Sequence, residues 1–376
     1  MSRIVQVANF VTPTSGGLRT TLGHLAQGYA ERGHDVIQVV PGKRDSEEAM
    51  SWGRLVTVAA PPMPGSGYRI VTRPRRVAAL LRGLRPDRLE VHDRSTLRGL
   101  GRWAGLVGVP SMVISHERLD RLLKQWLPGW LPTTGFADRS NAALASSYNT
   151  VLCTTDWAAA EFERIGTTNL VRVPLGVDLD LFHPDLASPQ LRGALAPDGA
   201  ALLVMASRLS REKRPELAIA AFGELLRRGR QARLVVAGDG PLRADLQRQA
   251  AGLPVEFVGF VSSQPSLAAL LATADVLLAP GPVETFGLAA LEALASGTPI
   301  VANSQSALSE VLGSEAGLTA CHGIRRCITD AVEEILDRPV GQRRRAARTR
   351  AEGYPWSATV SGFLSAHRLA EVRTPA

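Results

Sequence analysis

The chain has 376 residues, 45% of them hydrophobic, enough for two ordinary cores in domains of roughly 150–200 residues. No apolar run approaches the roughly 20 residues of a transmembrane helix, and the opening MSRIVQVANF reads as a buried strand, not as a secretory leader, so the expected location is the cytoplasm. The formal charge of +8 is lopsided: residues 1–150 hold 20 Lys and Arg against 11 Asp and Glu, and the remainder 23 against 24.

Short apolar runs alternate with helical stretches, the signature of α/β architecture with parallel sheets. In the first half RIVQVANF is a strand, a Gly-containing loop follows, and 18–32 is helical. DVIQVVP and RLVTVAAP are the next strands, 74–84 is a helix, and PDRLEVHD, PSMVISHE and TVLCTTD complete the series. The stretch VPLGVDLDLFHPD, 173–185, reads as a linker. The second half restarts with ALLVMASRLS, a helix near 215–229, ARLVVAGDGP, a helix near 241–251, VEFVGFV, a helix near 264–273, DVLLAPG, a helix after Glu284, and TPIVAN. This is two Rossmann-like units in series. The basic run RRRAARTR, 343–350, is expected to be a solvated helix face, and PWSATVSGFLSAHRLAEV a C-terminal amphipathic helix. Cys153, Cys321 and Cys327 lack metal-site spacing and are expected to be reduced and structural.

The basic first half suits an anionic partner such as a membrane surface. The blander alternative is Arg-rich composition, because only Lys43, Lys124 and Lys213 are lysines. No aromatic-basic interleaving accompanies the charge, so nucleic acid is not an expected partner.

Ligands of open α/β sheets bind outside the carboxyl ends of the strands, so residues there are the candidates, in a cleft between two facing domains. After the strand at 201 come Arg208, Glu212 and Lys213, two cations suited to a diphosphate. Asp239 lies in a Gly-Asp-Gly turn that either approaches a ligand or simply reverses the chain. Gly259 and Phe260 end another strand, where backbone groups can meet a nucleobase. Glu284 precedes Phe286-Gly287-Leu288, which supplies the first free amides of a helix, an anion site. Glu292, two turns on, reaches a second set of hydroxyls, since an unpartnered buried charge is otherwise costly. Two carboxylates flanking an anion-binding helix end fit a nucleotide sugar. In the first half, Gly16 and Gly17 open a helix without a dinucleotide fingerprint. His116 stands at a strand end beside Glu117 and Arg118, with Asp93 and Arg94 as weaker candidates. RLLKQWLPGWLP, 121–132, places Arg121, Lys124, Trp126 and Trp130 either at a lipid interface or in a proline-broken core segment.

Taken together, Gly16-Gly17, His116, SRLSREK, AGDGP and ETFGLAALEALASGTPIVA resemble the retaining glycosyltransferases of two-Rossmann GT-B architecture over nearly the whole chain. SGGLRT, SHERLD, CTTDWAAAEFERIG and VPLGVDLDLFHP are most similar to actinobacterial GDP-mannose-dependent mannosyltransferases of phosphatidylinositol mannosides. The resemblance implies domains at 1–175 and 176–355, with a helix, 356–376, crossing back to the first. It implies that Arg208 and Lys213 neutralise the diphosphate, that Glu284 with the amides of Phe286, Gly287 and Leu288 holds sugar and β-phosphate, and that Glu292 binds the ribose. Gly16 and Gly17 approach the diphosphate, and His116 contacts the transferred sugar. Arg118, Arg121, Lys124, Trp126 and Trp130 fall on the acceptor or membrane side. The implied partners are a nucleotide sugar (GDP-mannose), a glycolipid with an α-linkage formed on its hydroxyl, and an anionic membrane surface. The alternatives are a UDP- or ADP-sugar with a soluble acceptor, and a nucleotide-sugar-binding protein without turnover. No tightly bound cofactor is expected, and no protein-bound Mg2+, because the only Asp-x-Asp pair noted, Asp178 and Asp180, lies in the linker.

Overall fold

The computed structural model describes residues 1–12, 16–63, 67–128, 130–313, 315–321 and 324–369. The chain divides into two compact units, Met1–Leu175 with Trp356–Ala376, and Gly176–Pro355.

Unit 1 runs β1 (Arg3–Ala8), α1 (Gly17–Glu31), β2 (Asp35–Gly42), β3 (Ser46–Met50), β4 (Gly53–Ala59), α2 (Pro74–Leu84), β5 (Arg88–His92), α3 (Leu100–Val107), β6 (Ser111–Ser115), α4 (Leu119–Trp126), α5 (Thr133–Ala145), β7 (Thr150–Cys153), α6 (Asp156–Glu163) and β8 (Leu170–Arg172). Its sheet has the order β3-β4-β2-β1-β5-β6-β7-β8. Only β3 is antiparallel to its neighbour. The inner strands are buried on both faces, which is why they read as near-continuous apolar runs. β3 is exposed throughout and carries Glu47 and Glu48 on the sheet edge. With no apolar pattern it left no strand signal, and its charges protect the edge from further pairing.

Unit 2 contains α7 (Pro189–Leu195), β9 (Ala201–Ala206), α8 (Pro215–Arg227), β10 (Ala232–Ala237), α9 (Arg243–Gln249), β11 (Val255–Gly259), α10 (Gln264–Thr273), β12 (Val276–Ala279), α11 (Leu288–Ala295), β13 (Ile300–Asn303), α12 (Leu308–Leu312), β14 (Gly317–Ala320), α13 (Arg325–Asp337) and α14 (Val340–Glu352). Its parallel sheet has the order β11-β10-β9-β12-β13-β14. The last helix, α15 (Trp356–Ala366), packs on α1 of unit 1. His24 stacks on Trp356 with centroids 4.5 Å apart. Gly28 makes room for Val360, since a Cβ there would lie 2.5 Å from its Cγ2. The parallel strands of each sheet reverse their order once, between β1 and β5 and between β9 and β12. Ligands of such sheets collect at those two points.

Two expectations are corrected. The basic run on α14 is not a solvated face. Arg343 is buried and pairs with Asp275 at 2.9 Å. Arg344 donates to the carbonyls of Ala274 at 3.2 Å and Ser296 at 3.3 Å, and Arg348 to those of Phe182 at 2.8 Å and Ala295 at 2.9 Å. The carbonyls at the ends of α10 and α11 have no intrahelical donors, and cations there also oppose the helix dipole. Cys321 and Cys327 are joined as a disulfide, not reduced: their Cα atoms lie 5.8 Å apart, within bridging range. Cys153 is free and buried, and burial pushes its thiol up to about 12. Within the stretch 173–185 Asp178 caps a turn, accepting from the amides of Asp180 and Leu181.

Candidate active site

In unit 2 the loops after β9, β10, β12 and β13 brace one another. A Cβ at Gly238 would lie 1.9 Å from the Ser207 carbonyl, and one at Gly240 2.4 Å from that of Leu209. The Leu209 amide donates to the Asp239 carbonyl at 3.0 Å, and the Gly238 amide to that of Gly259 at 2.7 Å. The Gly-Asp-Gly turn thus packs backbone to backbone beneath the loop that carries Arg208. Gly259 takes a left-handed φ of +76° at the end of β11, and Phe260 beyond it is 40% exposed.

Gly281 lets the loop after β12 lie against the Glu212-Lys213 turn, where a Cβ would approach the Glu212 carbonyl to 2.9 Å. That contact delivers Glu284 to Lys213, and their half-buried side chains form an ion pair. The Ala307 amide holds the Glu284 carbonyl at 2.9 Å, and Asn303 Nδ2 holds that of Pro280 at 3.0 Å. Gly287 has φ +81° and sits 2.6 Å, at its missing Cβ, from Leu308 Cδ2, so glycine alone fits the start of α11. Phe286 is buried beside it, packing edge-on to Tyr354. The first turn of α11 carries no acidic side chain and no side-chain cap. Its amides therefore keep their donor capacity, beginning next to Leu288.

Glu292 is half-buried on α11, and desolvation pushes its carboxyl up to about 7. Among the described residues its carboxylate has no ion-pair or hydrogen-bond partner. Arg208 is half-buried on the loop after β9. In unit 2 Lys213 and Glu284 therefore meet just before the start of α11, while Arg208 stands on the loop after β9 and Glu292 on α11 itself.

Unit 1 holds charge differently. His116 follows β6, and its Nε2 lies 2.8 Å from Nδ1 of His92, the last residue of β5. His92 Nε2 lies 3.3 Å from Glu90 Oε2. The same oxygen accepts from Gln6 Nε2 at 2.7 Å, while Oε1 accepts from Tyr29 OH at 2.6 Å and His367 Nε2 at 2.7 Å. Strand register creates this cluster: Gln38, Gln6 and Glu90 are direct neighbours on β2, β1 and β5, and Gln38 donates on to Gln6 Oε1. Burial raises the Glu90 carboxyl, but the hydrogen bonds from His367 and His92 outweigh it and hold it well below the usual carboxylate range. Burial and Glu90 raise the Tyr29 phenol well above its ordinary value. Burial and the neighbouring His92 push His116 down to about 3.

The other unit 1 candidates separate. Gly16 precedes α1, and a Cβ there would meet nothing within 4 Å; Gly17 is the helix's first residue. Asp93 caps the turn after β5 through the Leu97 amide, and buried Arg94 pairs with Glu161 at 2.6 Å. Arg118 is tied to Asp120 at 2.8 Å and lies over the Trp157 ring. Arg121 is half-buried, whereas Lys124 and Trp130 are exposed, Trp130 to 80%. The side chain of Trp126 lies outside the described residues. Glu90, His92 and His367 were missed by sequence reasoning. The available signal was Glu and His two residues apart in RLEVH, hence on one face of a strand with no wet side. Among the described residues no group of three or more His, Cys, Asp or Glu could hold a metal ion, and no helix is long and apolar enough to cross a membrane.

The fold is thus two α/β units, each built on a largely parallel sheet with one switch point. Residues 16–176 match the glycosyl transferase 4-like domain and residues 189–353 the glycosyl transferases group 1. The chain is 48% identical over 365 residues, 96% of its length and 95% of the relative's, to the GDP-mannose-dependent alpha-(1-6)-phosphatidylinositol dimannoside mannosyltransferase of Mycobacterium tuberculosis. It therefore belongs to the retaining GT-B glycosyltransferases, enzymes whose donor is a nucleotide sugar. It is also 37% identical over 211 residues, 52% of each chain, to the D-inositol 3-phosphate glycosyltransferase of Frankia alni. Its fold matches sucrose-phosphate synthase of Thermosynechococcus elongatus with a TM-score of 0.82 at 19% identity, over 98% of both chains.

Proposed function

We propose that this enzyme transfers mannose from GDP-mannose, with retention, to a hydroxyl of a phosphatidylinositol mannoside-type glycolipid, forming an α-linkage. The observation that carries the reading is the 48% identity, over nearly the full length of both chains, to a mycobacterial enzyme named for that donor and acceptor class. The unit 2 loops support it chemically. Departure of the diphosphate builds negative charge on the phosphate and positive charge on the sugar ring, and preorganised cations and amides stabilise the first. Arg208, Lys213 and the amides of Phe286, Gly287 and Leu288 take that role. Glu284, already oriented by Lys213, accepts from sugar hydroxyls. Glu292 accepts from the ribose, and Gly259 and Phe260 meet the base. In unit 1 the open start of α1 at Gly16 and Gly17 offers amides to phosphate, and His116 contacts the sugar.

A lipid acceptor also fits the surface around α4. Exposed Trp130 and Lys124 are accompanied by exposed Leu127 and Phe136, with Arg121 nearby. We assign this face to the cytoplasmic surface of an anionic membrane, each basic residue contributing about 1 kcal/mol. Trp130→Ala with Lys124→Ala is expected to weaken co-sedimentation with anionic liposomes, and unchanged binding would reject the assignment.

The primary test is thermal-shift screening of GDP, UDP and ADP, followed by transfer assays with phosphatidylinositol mannoside and with free inositol phosphate. The reading requires the largest stabilisation by GDP and product only on the glycolipid. A preference for UDP or ADP, or product only on the free phosphate, overturns it.

A further inference from the structure

The loop that carries Glu284 and starts α11 is held from behind by two residues outside it, Arg350 and Tyr354. Tyr354 follows α14 on a fixed backbone: its amide donates to the Ala351 carbonyl at 2.9 Å, and its own carbonyl accepts from the Val177 amide at 2.8 Å. Its ring meets the buried Phe286 ring edge-on, with centroids 6.1 Å apart and planes at 75°, a favourable aromatic geometry. Its hydroxyl oxygen accepts from Arg350 Nη2 at 2.8 Å, and the Arg350 guanidinium carbon lies 5.2 Å from the ring centroid. Arg350 also donates through Nη2 to the Glu310 carbonyl and through Nε to the Val311 carbonyl, both at 2.6 Å. Those carbonyls belong to α12, a helix of five residues, too short to hold itself in water and without intrahelical donors at its end. α12 and Ala307 before it grip the loop from the other side, through the Ala307 amide on the Glu284 carbonyl and Leu308 against Gly287. The contacts close a ring: Phe286 to Tyr354, Tyr354 to Arg350, Arg350 to α12, and α12 back to Glu284 and Gly287.

We propose that Arg350 and Tyr354 are positioning residues for the donor diphosphate, fixing through Phe286 and α12 where the first amides of α11 stand. The diphosphate half rests on the functional reading above, in which those amides meet the phosphate. An amide stabilises the charge growing on a departing phosphate only if it is already in place, and a displacement of about 1 Å can cost about a hundredfold in rate. A ring buried against Tyr354 and a glycine seated on Leu308 fix the backbone on both sides of the Phe286-Gly287 peptide. An arginine suits the task because one planar fork reaches two carbonyls and a hydroxyl at once.

The test uses the full chain and measures GDP affinity by calorimetry, donor and acceptor kinetics, and amide hydrogen exchange in peptides covering 284–295. Tyr354→Leu and Arg350→Met are each expected to weaken GDP about tenfold and to lower kcat/KM for the donor by about as much, with KM for the acceptor within about twofold. Exchange over 284–295 is expected to rise about tenfold in both, with no matching rise in α8 or α13. Tyr354→Phe keeps the ring edge against Phe286 and is expected to return exchange and GDP affinity to within about threefold of wild type. Wild-type GDP affinity and donor kcat/KM in either Tyr354→Leu or Arg350→Met, or exchange rising evenly across unit 2, would overturn the proposal, since the contacts would then only support the fold. A localised rise in exchange in both variants of a protein whose wild type binds no GDP would instead sink the functional reading, and with it only the diphosphate half of this one.

Discussion

In unit 2 the carboxylate of Glu284 and the ammonium of Lys213 meet half-buried on two loops, whereas in unit 1 Glu90 lies inside the sheet with four donors around it. The first pair can change partners when a ligand arrives, since its members lose little by separating in partly wet surroundings. The second cannot, because every group taken from it leaves a buried donor or acceptor without compensation. The same residue types therefore serve as adjustable ligand contacts in one place and as rigid scaffolding in the other.

Glu90→Ala is the most severe way to probe that contrast. It strands Tyr29, His92, His367 and Gln6, and is expected to cost about 3–5 kcal/mol of stability, read as a drop in the urea midpoint. A loss below about 1 kcal/mol would mean that the cluster is not rigid scaffolding. Lys213→Ala should show the reverse pattern: stability within about 1 kcal/mol of wild type, and turnover lower by about 10²–10³. Arg208→Ala is expected to follow Lys213→Ala, and near-normal turnover in either would remove the diphosphate assignment.

Glu292 sharpens the comparison through pH. Its carboxyl stands at about 7 when folded against an ordinary 4.5. In the window between these values the folded protein holds a proton that the unfolded chain has released, so stability falls as pH rises through it and levels off above. Hydroxyls that donate to the carboxylate favour its ionised form, so GDP binding near pH 6 is expected to release a proton. Calorimetry in two buffers of different ionisation enthalpy measures this, and Glu292→Gln should abolish it. Glu292→Ala should weaken GDP by about 1–3 kcal/mol. The smallest effect is expected at Arg348, whose replacement by Ala frees the carbonyls of Phe182 and Ala295 and should cost about 1–2 kcal/mol without changing turnover. A turnover loss there would tie α14 to the chemistry.

How far the sequence was legible follows from the same contrast. The parallel strands and the helices between them were readable because their apolar runs are long and their breaks sharp, as at Pro74 and Pro215. β3 was not, since a polar edge strand has no periodicity of its own. The loop residues of unit 2 stood out as charges interrupting apolar text. The unit 1 cluster did not, because its members are polar letters scattered over β1, α1, β2, β5 and the positions just after β6 and α15, and only lateral register unites Gln6 with Glu90. The arginines of α14 misled for a related reason: a run of cations looks hydrated until the helix ends that need it are in place.

The hydrogen bond from His367 to Glu90 joins residues 277 positions apart. During synthesis the first 175 residues leave the ribosome long before α15 exists, roughly ten to forty seconds at ordinary elongation rates. Unit 2, an uninterrupted stretch, is whole before the tail is made. Maturation of the amino-terminal unit is thus scheduled last, and a nascent chain halted before residue 367 carries a buried carboxylate still lacking one of its donors.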